Sequence, residues 1–482
     1  MTATIDPTMH RSGSAPPVAD EALATKLAAR EPAAPAAPAP VEVLAPDVAV
    51  PRAHVPGTLS TRAAFAPTVR RHWAPKPSGG ADPAGHLTPE QIDAFGAELD
   101  RIRGEVLASR GADDAAYIRR VIDIQRRLEA GSRIILLFSG NPVAWLAGTA
   151  ALSLAKILEN MEIGHNVMHG QWDWMRDPRI HSRSWEWDHT TPSRLWKHSH
   201  NELHHTYTNV LGRDNDLGFG ILRVDPDQPW EPFHLLQPLW NALNAVFFQY
   251  TIALYDLDLY THFGGDATAE DRVRLRRDGG EAVRKIARHV FRDYVVHPAL
   301  SGPNWFTTVT ANAVADLARN LWTNAVIICG HFPDGVDTFA KESIEGESRG
   351  EWYLRQGLGS GNISGGPLLH VMTGNLSHQI EHHMFPDLPS NRYADVAPAV
   401  RELMAVNGLH YASGPMPKQL ASVWYKVFRY SVPNGTWERL RDDPRGVLSW
   451  GVGAVADGAR SVAGGAARAL ASRLRRAVPA LA

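Results

Sequence analysis

Three clusters of histidine constrain the fold of this chain more than any other feature of its sequence. They lie at 164–169, 200–205 and 378–383, and they hold eight of the 22 histidines. Within each cluster two histidines are four residues apart, a spacing that places both on one face of a helix. Imidazole offers a neutral nitrogen lone pair near physiological pH, and no structural role needs so many together. The clusters therefore predict that three distant segments converge on metal.

Long charge-free runs predict an integral membrane protein. Residues 134–155 form a charge-free run of 22, enough to cross a bilayer, although Pro142 interrupts it as a kink or as a break between two short helices. Further runs cover 232–255 and 294–315, and the apolar pattern then continues to His331. None of these runs is strongly hydrophobic, so a buried core helix is the alternative for each.

The net charge and the cysteine content limit which partners and cofactors the chain can bind. The formal net charge of −2 gives no general attraction to nucleic acid. The single cysteine, Cys329, excludes a disulfide framework, a rubredoxin-like centre and a thiolate-bound iron–sulfur cluster, because each of these needs several cysteines.

The number of imidazoles indicates which metal the clusters hold. A zinc site takes four ligands, or three and a water, so eight or nine nitrogens exceed its need. The same number suits two iron ions with positions left for dioxygen. A site of this kind at a membrane surface faces acyl chains, so chemistry at an unactivated carbon–hydrogen bond is expected. The candidate ligands are His165, His169, His200, His204, His205, His331, His378, His382 and His383.

The clusters resemble the three histidine boxes of the membrane fatty-acid desaturases, and so do the stretches 197–209 and 374–386 around two of them. The resemblance covers about 133–415, and it points to bacterial acyl-CoA or acyl-lipid desaturases with a Gln-Ile-Glu-His-His final box. It implies an all-α, integral membrane fold whose cytosolic helical cap holds a non-haem diiron site. It further implies that O₂ and two electrons are used to introduce a cis double bond into a fatty acyl chain. His331 corresponds to the isolated histidine ligand of that family.

The chain departs from the family pattern at two boxes. Relatives with this final box use Gln as its first ligand and other members use His, so His378 and Gln379 both stay open as that ligand. The second box has three residues between His200 and His204, where many relatives have two. A His-Pro-Gly-Gly haem motif is absent, so the resemblance implies a separate ferredoxin, rubredoxin or cytochrome donor with its reductase. The other expected partners are membrane lipids and an acyl substrate linked to CoA or lipid.

The three boxes have to meet on one face of the membrane, which limits the topology. The basic segment 271–292 belongs on the cytoplasmic face by the positive-inside rule. We therefore expect 232–260 to lie in the interface and 294–331 to form a short helical hairpin, with the site on the cytoplasmic face. The alternative makes 232–255 one span and 296–330 a single long span, with the basic segment outside.

Four regions are expected along the chain. An Ala/Pro-rich, disordered region covers 1–85, and an amphipathic helical segment covers 86–132. This segment begins at Thr88, which precedes proline and glutamate as a helix N-cap does. The desaturase domain covers 133–415. The tail, 416–482, is expected to be a basic helix on the membrane surface or a solvated segment.

Residues near the boxes are expected to support the ligands or the substrate. Asn209, Asp214, Asp216 and Glu381 are placed to hydrogen-bond ligand imidazoles, and capping a loop is the alternative for the first three. Four tryptophans are expected to anchor in the membrane interface, with the wall of an acyl tunnel as the alternative. These are Trp172, Trp174, Trp185 and Trp187.

Two other functions compete with desaturation. A hydroxylase or related oxygenase on the same diiron scaffold inserts oxygen instead of removing a second hydrogen, and the sequence discriminates poorly between the two. A histidine-rich metal-binding membrane protein without turnover is the second competitor, and it would hold zinc or fewer than two irons.

Overall fold

Regular structure in the computed structural model is almost entirely helical over the residues it describes, 82–214, 216–258 and 268–443. The only strands there, β1 (Asn362–Ser364) and β2 (Ser413–Pro415), form a parallel pair in which Ile363 lies opposite Gly414. The predicted all-α class is thereby confirmed. The α-helices are α1 (Pro89–Ser109), α2 (Ala112–Leu136), α3 (Pro142–Leu158), α4 (Asn166–Met168), α5 (Ser193–Trp196), α6 (His205–Tyr207), α7 (Gln237–Val246), α8 (Phe248–Tyr255), α9 (Ala269–Phe291), α10 (His297–Leu300), α11 (Trp305–His331), α12 (Arg349–Leu358), α13 (Pro367–Met372), α14 (Gln379–Met384), α15 (Tyr393–Val406), α16 (Met416–Arg429) and α17 (Thr436–Asp442).

Short π-helical and 3₁₀ segments extend several of these helices. The π-helical segments are Glu159–His165, Lys197–His204 and Arg292–Val296. The 3₁₀ segments are Asp173–Met175, Leu217–Gly220, Pro232–Leu236, Gly302–Asn304, Lys341–Ile344, Leu376–His378 and Ser390–Arg392. Most of the predicted N-terminal region and the end of the tail, 444–482, lie outside the described residues.

The N-terminal helices begin where the sequence predicts. The Thr88 hydroxyl accepts a hydrogen bond from the amide of Gln91, whose side chain accepts from the Thr88 amide at 2.7 Å. The helical pattern does not continue unbroken, because α1 ends at Ser109 and α2 starts after Gly111. The charge-free run 134–155 is also divided between two helices, with Asn141 capping the second of them.

A bundle of α2, α3 and α11 forms the centre of the described structure. Helices α2 and α3 pack as an antiparallel pair so closely that a Cβ atom at Gly148 would lie 2.7 Å from a side-chain carbon of Leu136. The turn between them is held by Asn304, whose side-chain amide donates to the Leu137 carbonyl at 2.8 Å. In the described part of the chain no helix combines the length and the apolar character needed to cross a membrane.

The predicted hairpin at 294–331 is wrong, because one continuous helix, α11, occupies residues 305–331. No glycine or proline interrupts the sequence between Trp305 and Cys329, and polar residues within it, such as Thr308, Asn312 and Asp316, have partners on neighbouring segments. The chain instead turns at 301–304, between α10 and α11. The expectation for 232–260 corresponds to two short helices, α7 and α8.

The polarity of α11 is the reverse of that of a surface helix in a water-soluble protein, with polar residues inside and apolar residues outside. The buried polar residues are Thr308, Asn312, Asp316, Arg319, Asn320, Thr323 and Asn324. The exposed apolar residues are Trp305, Phe306, Val314, Leu317 and Leu321. The turns at the same end of the bundle add Ile134, Phe138, Val143, Leu146 and Leu300 to this apolar surface.

A layer of ion pairs crosses the middle of the bundle. The Lys156 ammonium on α3 lies 2.8 Å from the Asp293 carboxylate and 3.0 Å from that of Asp316 on α11. Arg319, one turn from Asp316, donates to the Asp188 carbonyl at 3.1 Å. The layer therefore ties α3, α11, the segment after α9 and the loop around Asp188 into one unit.

Replacing Lys156 with methionine is expected to lower the free energy of unfolding by about 3–5 kcal/mol, because it leaves Asp293 and Asp316 buried without their shared cation. Thermal and denaturant unfolding in detergent measures the change. Arg127→Met is the matched control, since Arg127 pairs with Asp123 at 2.6 Å on the surface with 79% of its side chain exposed. Equal melting of the two variants would contradict a structural role for the layer.

Candidate metal centre

The three histidine clusters converge at one end of the bundle. His165 ends the π-helical extension of α3, and His331 is the last residue of α11. The second cluster occupies the π-helical segment after α5, and the third lies in α14. Every one of the imidazoles at 165, 169, 200, 204, 205, 331, 382 and 383 is buried. Histidines four residues apart stay adjacent, with ring centroids 4.7 Å apart for His165 and His169 and 5.1 Å apart for His200 and His204 in the π-helical segment.

The imidazoles divide into two groups, each compact enough for one metal ion. In the first group the ligand atoms lie within 4.8 Å of one another, and its members are His165, His169, His200 and His382. The second group meets the same limit with His204, His331 and His383. His205 lies between the two, with its ring centred 4.7 Å from that of His169 and 4.5 Å from that of His383.

Three ligand candidates, His200, His204 and His383, each have one ring nitrogen held by a neighbour and the other free. The Nδ1 atom of His204 lies 3.1 Å from the Asp214 carboxylate, and that of His200 lies 3.3 Å from Asp216. The Nδ1 atom of His383 lies 3.1 Å from the side-chain oxygen of Gln356. The Nε2 atoms of His200, His204 and His383 are buried without a hydrogen-bond partner. Because buried polar atoms are normally paired, these nitrogens and the free nitrogens of His169 and His205 fit a metal.

Electrostatics keep most of these rings neutral. Burial lowers the pKa values of His200, His205, His382 and His383 well below the ordinary value, and neighbouring imidazoles lower them further. Burial acts in the same direction on His204, but the carboxylates of Asp214 and Asp216 outweigh it and raise the pKa of that ring to about 8. Neutral imidazole is the form that binds metal, so the site is prepared for it.

The third cluster contains two adjacent candidates that face different ways. The side-chain amide of Gln379 points into the second group, with Nε2 3.1 Å from the Nε2 atom of His331. The ring of His378 stacks on His370 with centroids 4.6 Å apart and belongs to neither group. Rotation of the Gln379 amide about its last side-chain bond exchanges its nitrogen and oxygen. The oxygen would then occupy the same position beside His331.

Two of the four predicted supporting residues are found beside ligand rings, Asp214 and Asp216. For Asn209 the alternative, capping a loop, is found, and the prediction for Glu381 is wrong. Asn209 donates to three backbone carbonyls, including that of His331, because its left-handed conformation turns it toward the chain. Glu381 accepts hydrogen bonds from Asn362 and Tyr411 on the outer side of α14.

Sequence reasoning missed several residues that hold the rings. Tyr393, whose hydroxyl lies 3.2 Å from Nδ1 of His382, comes from α15, and Gln356 comes from α12. Neither lies in a motif, so no local signal marks them. The expectation that the tryptophans anchor in an interface is wrong for Trp172, Trp185 and Trp187, which are buried.

A narrow cavity of about 50 Å³ reaches the first group of imidazoles. Both His165 and His200 line it, and so do Trp187 and Trp196, the latter stacked on His200 with centroids 4.4 Å apart. Its apolar lining is completed by Met161, Phe219, Phe248, Ile252 and Ile327. Such a lining suits an alkyl chain held against the metal-binding rings.

Replacing Asp214 with asparagine is expected to lower metal affinity about 10–100-fold, since the carboxylate orients His204 and raises its basicity. Metal content after dialysis against graded chelator measures the loss. Glu202→Asn is a suitable control, because Glu202 pairs with the exposed His198 outside both groups. Unchanged affinity in the Asp214 variant would show that the carboxylate does not support the ligand.

Two groups of buried imidazoles that could each hold a metal ion lie at the end of a helical bundle, and the sequence profile named Fatty acid desaturase matches residues 141–415, more than half of the chain. The chain belongs to the fatty acid desaturase family. It is a fatty acid desaturase, an oxidoreductase of lipid metabolism.

Individual relatives agree with this assignment. The chain is 48% identical over 367 residues to an NADPH-dependent stearoyl-CoA 9-desaturase of Mycobacterium tuberculosis, which covers 75% of this chain and 84% of the relative. It is 22% identical over 342 residues to an sn-1 linoleoyl-lipid 6-desaturase of Synechocystis, covering 70% of this chain and 92% of that protein. An acyl-lipid (7-3)-desaturase of Rebecca salina is 26% identical over 46% of this chain and 49% of its own length.

Proposed function

We propose that the chain is an oxygen-dependent, non-haem diiron desaturase that introduces a cis double bond into a fatty acyl chain. The observation that carries the proposal is the apolar cavity whose wall includes His165 and His200. A short segment of a saturated chain in this cavity would lie against the metal-binding rings, where an unactivated carbon–hydrogen bond is within reach of an oxidant.

The proposed ligands follow the two groups of imidazoles. The first group would hold one iron, and the other group together with Gln379 would hold the second. His205, whose ring lies between the two groups, would be a further ligand. Imidazole and amide ligands suit iron and leave positions for dioxygen. When bound, the iron pair supplies the activation of O₂.

The protein side chains have three tasks in this reaction. Asp214, Asp216 and Gln356 hold the ligand rings through their Nδ1 atoms, so that the Nε2 atoms face the metals. The apolar part of the cavity wall, which includes Trp187, Phe219 and Phe248, shields the acyl chain from water. Trp196 separates the chain from bulk solvent while it supports the ring of His200.

We propose coenzyme A as the acyl carrier, C18 as the chain length and position 9 as the site of the double bond. The support is the name of the mycobacterial relative, which acts on stearoyl-CoA and depends on NADPH. Electrons then reach the irons from NADPH through a separate ferredoxin, rubredoxin or cytochrome partner with its reductase.

We further propose that the enzyme is embedded in a membrane through the apolar end of its bundle, with the metal centre on the cytoplasmic face. The exposed side chains of Phe138, Val143, Leu146, Leu300 and Trp305 support this proposal. Contiguous apolar surface of this kind is unfavourable in water and marks contact with lipid or a partner. The metal centre lies at the opposite end of α3 and α11.

Product analysis tests the proposed function. The chain is expressed in a host of defined lipid content together with a competent electron donor, and the acyl chains are analysed by mass spectrometry with location of the double bond. We expect a new monounsaturated chain, which has lost two hydrogens. A product that has gained one oxygen atom would establish a hydroxylase instead. Iron bound without any product would overturn both.

A further inference from the structure

One buried carboxyl group in the cavity supports no ligand ring. Asp256 follows α8, and its two carboxylate oxygens accept hydrogen bonds from the hydroxyls of Ser199 at 2.5 Å and Thr191 at 2.9 Å. Both Asp256 and Ser199 line the same cavity as the ligand candidates His165 and His200. Asp256 is thus near the reaction site without being bound to it.

Asp256 also belongs to the partly exposed part of the cavity wall, together with Ser199, Asp216 and Tyr255. The residue keeps partial exposure, while the neighbouring ligand candidates His200, His204 and His205 are fully enclosed. The cavity has room for one or two waters at about 30 Å³ each. The hydroxyl of Ser199 and the carboxylates of Asp216 and Asp256 supply the polar partners that such a water needs.

The groups that face Asp256 favour its protonated form. Burial raises the pKa of its carboxyl to about 7, and the charge of Asp216 acts in the same direction against the two hydroxyl donors. The other titratable groups at the cavity are His165, His189 and His200, whose pKa values burial lowers so that they stay neutral, and Tyr255, which donates to Asp216 at 2.6 Å. Near neutral pH the carboxyl of Asp256 can both hold and release a proton.

The proposed reaction requires protons from solvent. In balance, one –CH₂–CH₂– unit, one O₂, two electrons and two protons give one –CH=CH– unit and two waters, so half of the hydrogen in the water does not come from the acyl chain. The electrons come from the separate donor. The carboxylates of Asp214 and Asp216 are already engaged by the rings of His204 and His200.

We propose that Asp256, acting through the Ser199 hydroxyl and water in the cavity, relays these protons from solvent to the site of O₂ reduction. The proposal rests on the proposed desaturase function. Asp256 is reprotonated from its exposed side after each transfer. It is a relay residue and does not contact the metals.

The variant Asp256→Asn tests the relay, because it keeps the size of the side chain but cannot carry the proton as an acid. Asp258→Asn is the matched control, since it makes the same change two residues away on an exposed residue whose left-handed φ of 47° asparagine tolerates. Asp256→Glu restores the acid, and Ser199→Ala removes the link while it keeps the carboxyl.

Two measurements are made on the purified holoenzyme. Infrared spectra of the resting enzyme across neutral pH should show a carboxylic-acid absorption that is reduced in Asp256→Asn and unchanged in Asp258→Asn. With acyl substrate and donor, desaturation by Asp256→Asn should fall about 10²-fold, the size expected of a lost proton donor, with more of the consumed O₂ released as hydrogen peroxide. The decline of the wild-type rate above neutral pH should disappear, and Asp256→Glu should recover part of the rate.

These outcomes separate the relay from the proposed function. Desaturation by the wild-type enzyme tests the function alone. If Asp256→Asn binds iron and keeps the wild-type rate, peroxide yield and pH profile, the relay is overturned while the function stands. Should Asp256→Asn fail to accumulate, Ser199→Ala decides: a raised peroxide yield supports the relay, and a wild-type yield overturns it.

Discussion

Replacing His204 with alanine is expected to abolish both desaturation and the binding of at least one iron. Its free Nε2 atom faces His331 and His383, and its Nδ1 atom lies 3.1 Å from the carboxylate of Asp214. The substitution removes a ligand and also leaves the Asp214 carboxylate buried beside Asp216 without its imidazole partner, so the second metal position loses charge balance as well as a donor. Iron per chain and the yield of unsaturated product measure the effect.

The matched control for this variant is His198→Ala. His198 lies in the same segment, but its side chain is 62% exposed and pairs with Glu202 at the surface. We expect this control to keep iron and activity, and both variants to stay in the membrane fraction. Desaturation by the His204 variant at the wild-type rate would refute the assignment of the second group as a metal site.

Substituting Gln379 with alanine is expected to remove one of the two irons, whereas the same change at His378 should leave both in place. The two side chains point in different directions. The amide of Gln379 lies beside His331, whereas the ring of His378 packs against His370 and belongs to neither group. Loss of either iron should stop desaturation, because the proposed reaction requires both irons. Metal analysis and product analysis of the purified variants provide the measurement.

The adjacent positions control for each other, since they are neighbours in the chain at the start of α14. Gln379→His serves as a further control, because imidazole is the first ligand of this box in other members of the family. It should keep both irons and some activity. The assignment fails if His378→Ala loses iron while Gln379→Ala retains it.

Much of the site was predictable because its ligands follow a regular spacing within short segments of the sequence. Histidines four residues apart face the same way on any helical turn, and the π-helical segments around His165 and His200 preserve this relation. Asp214 and Asp216 lie only 10 and 16 residues after their partners His204 and His200, so these hydrogen bonds could also be predicted from the sequence. The start of α1 at Thr88 followed from capping alone.

Other features depend on contacts between distant segments. Nothing near His382 in sequence indicates that Tyr393 reaches its ring from α15. The hairpin expected at 294–331 from the topology does not form. The polar side chains of Asp316 and Arg319 have partners on other segments of the chain. Inside the bundle, ion pairs and hydrogen bonds replace the water around these side chains, so the helix continues past them.

The sequence by itself determined the kinds of ligand, their grouping into boxes and the helical class of the fold, since these follow from side-chain chemistry and from short-range helical geometry. Only the tertiary structure decided which of His378 and Gln379 faces the second group, because neighbours on a helix differ in direction by about 100°. The packing of α14 against α11 and β1 fixes that direction. The same long-range packing placed Asp256 in the cavity wall, far along the chain from His165.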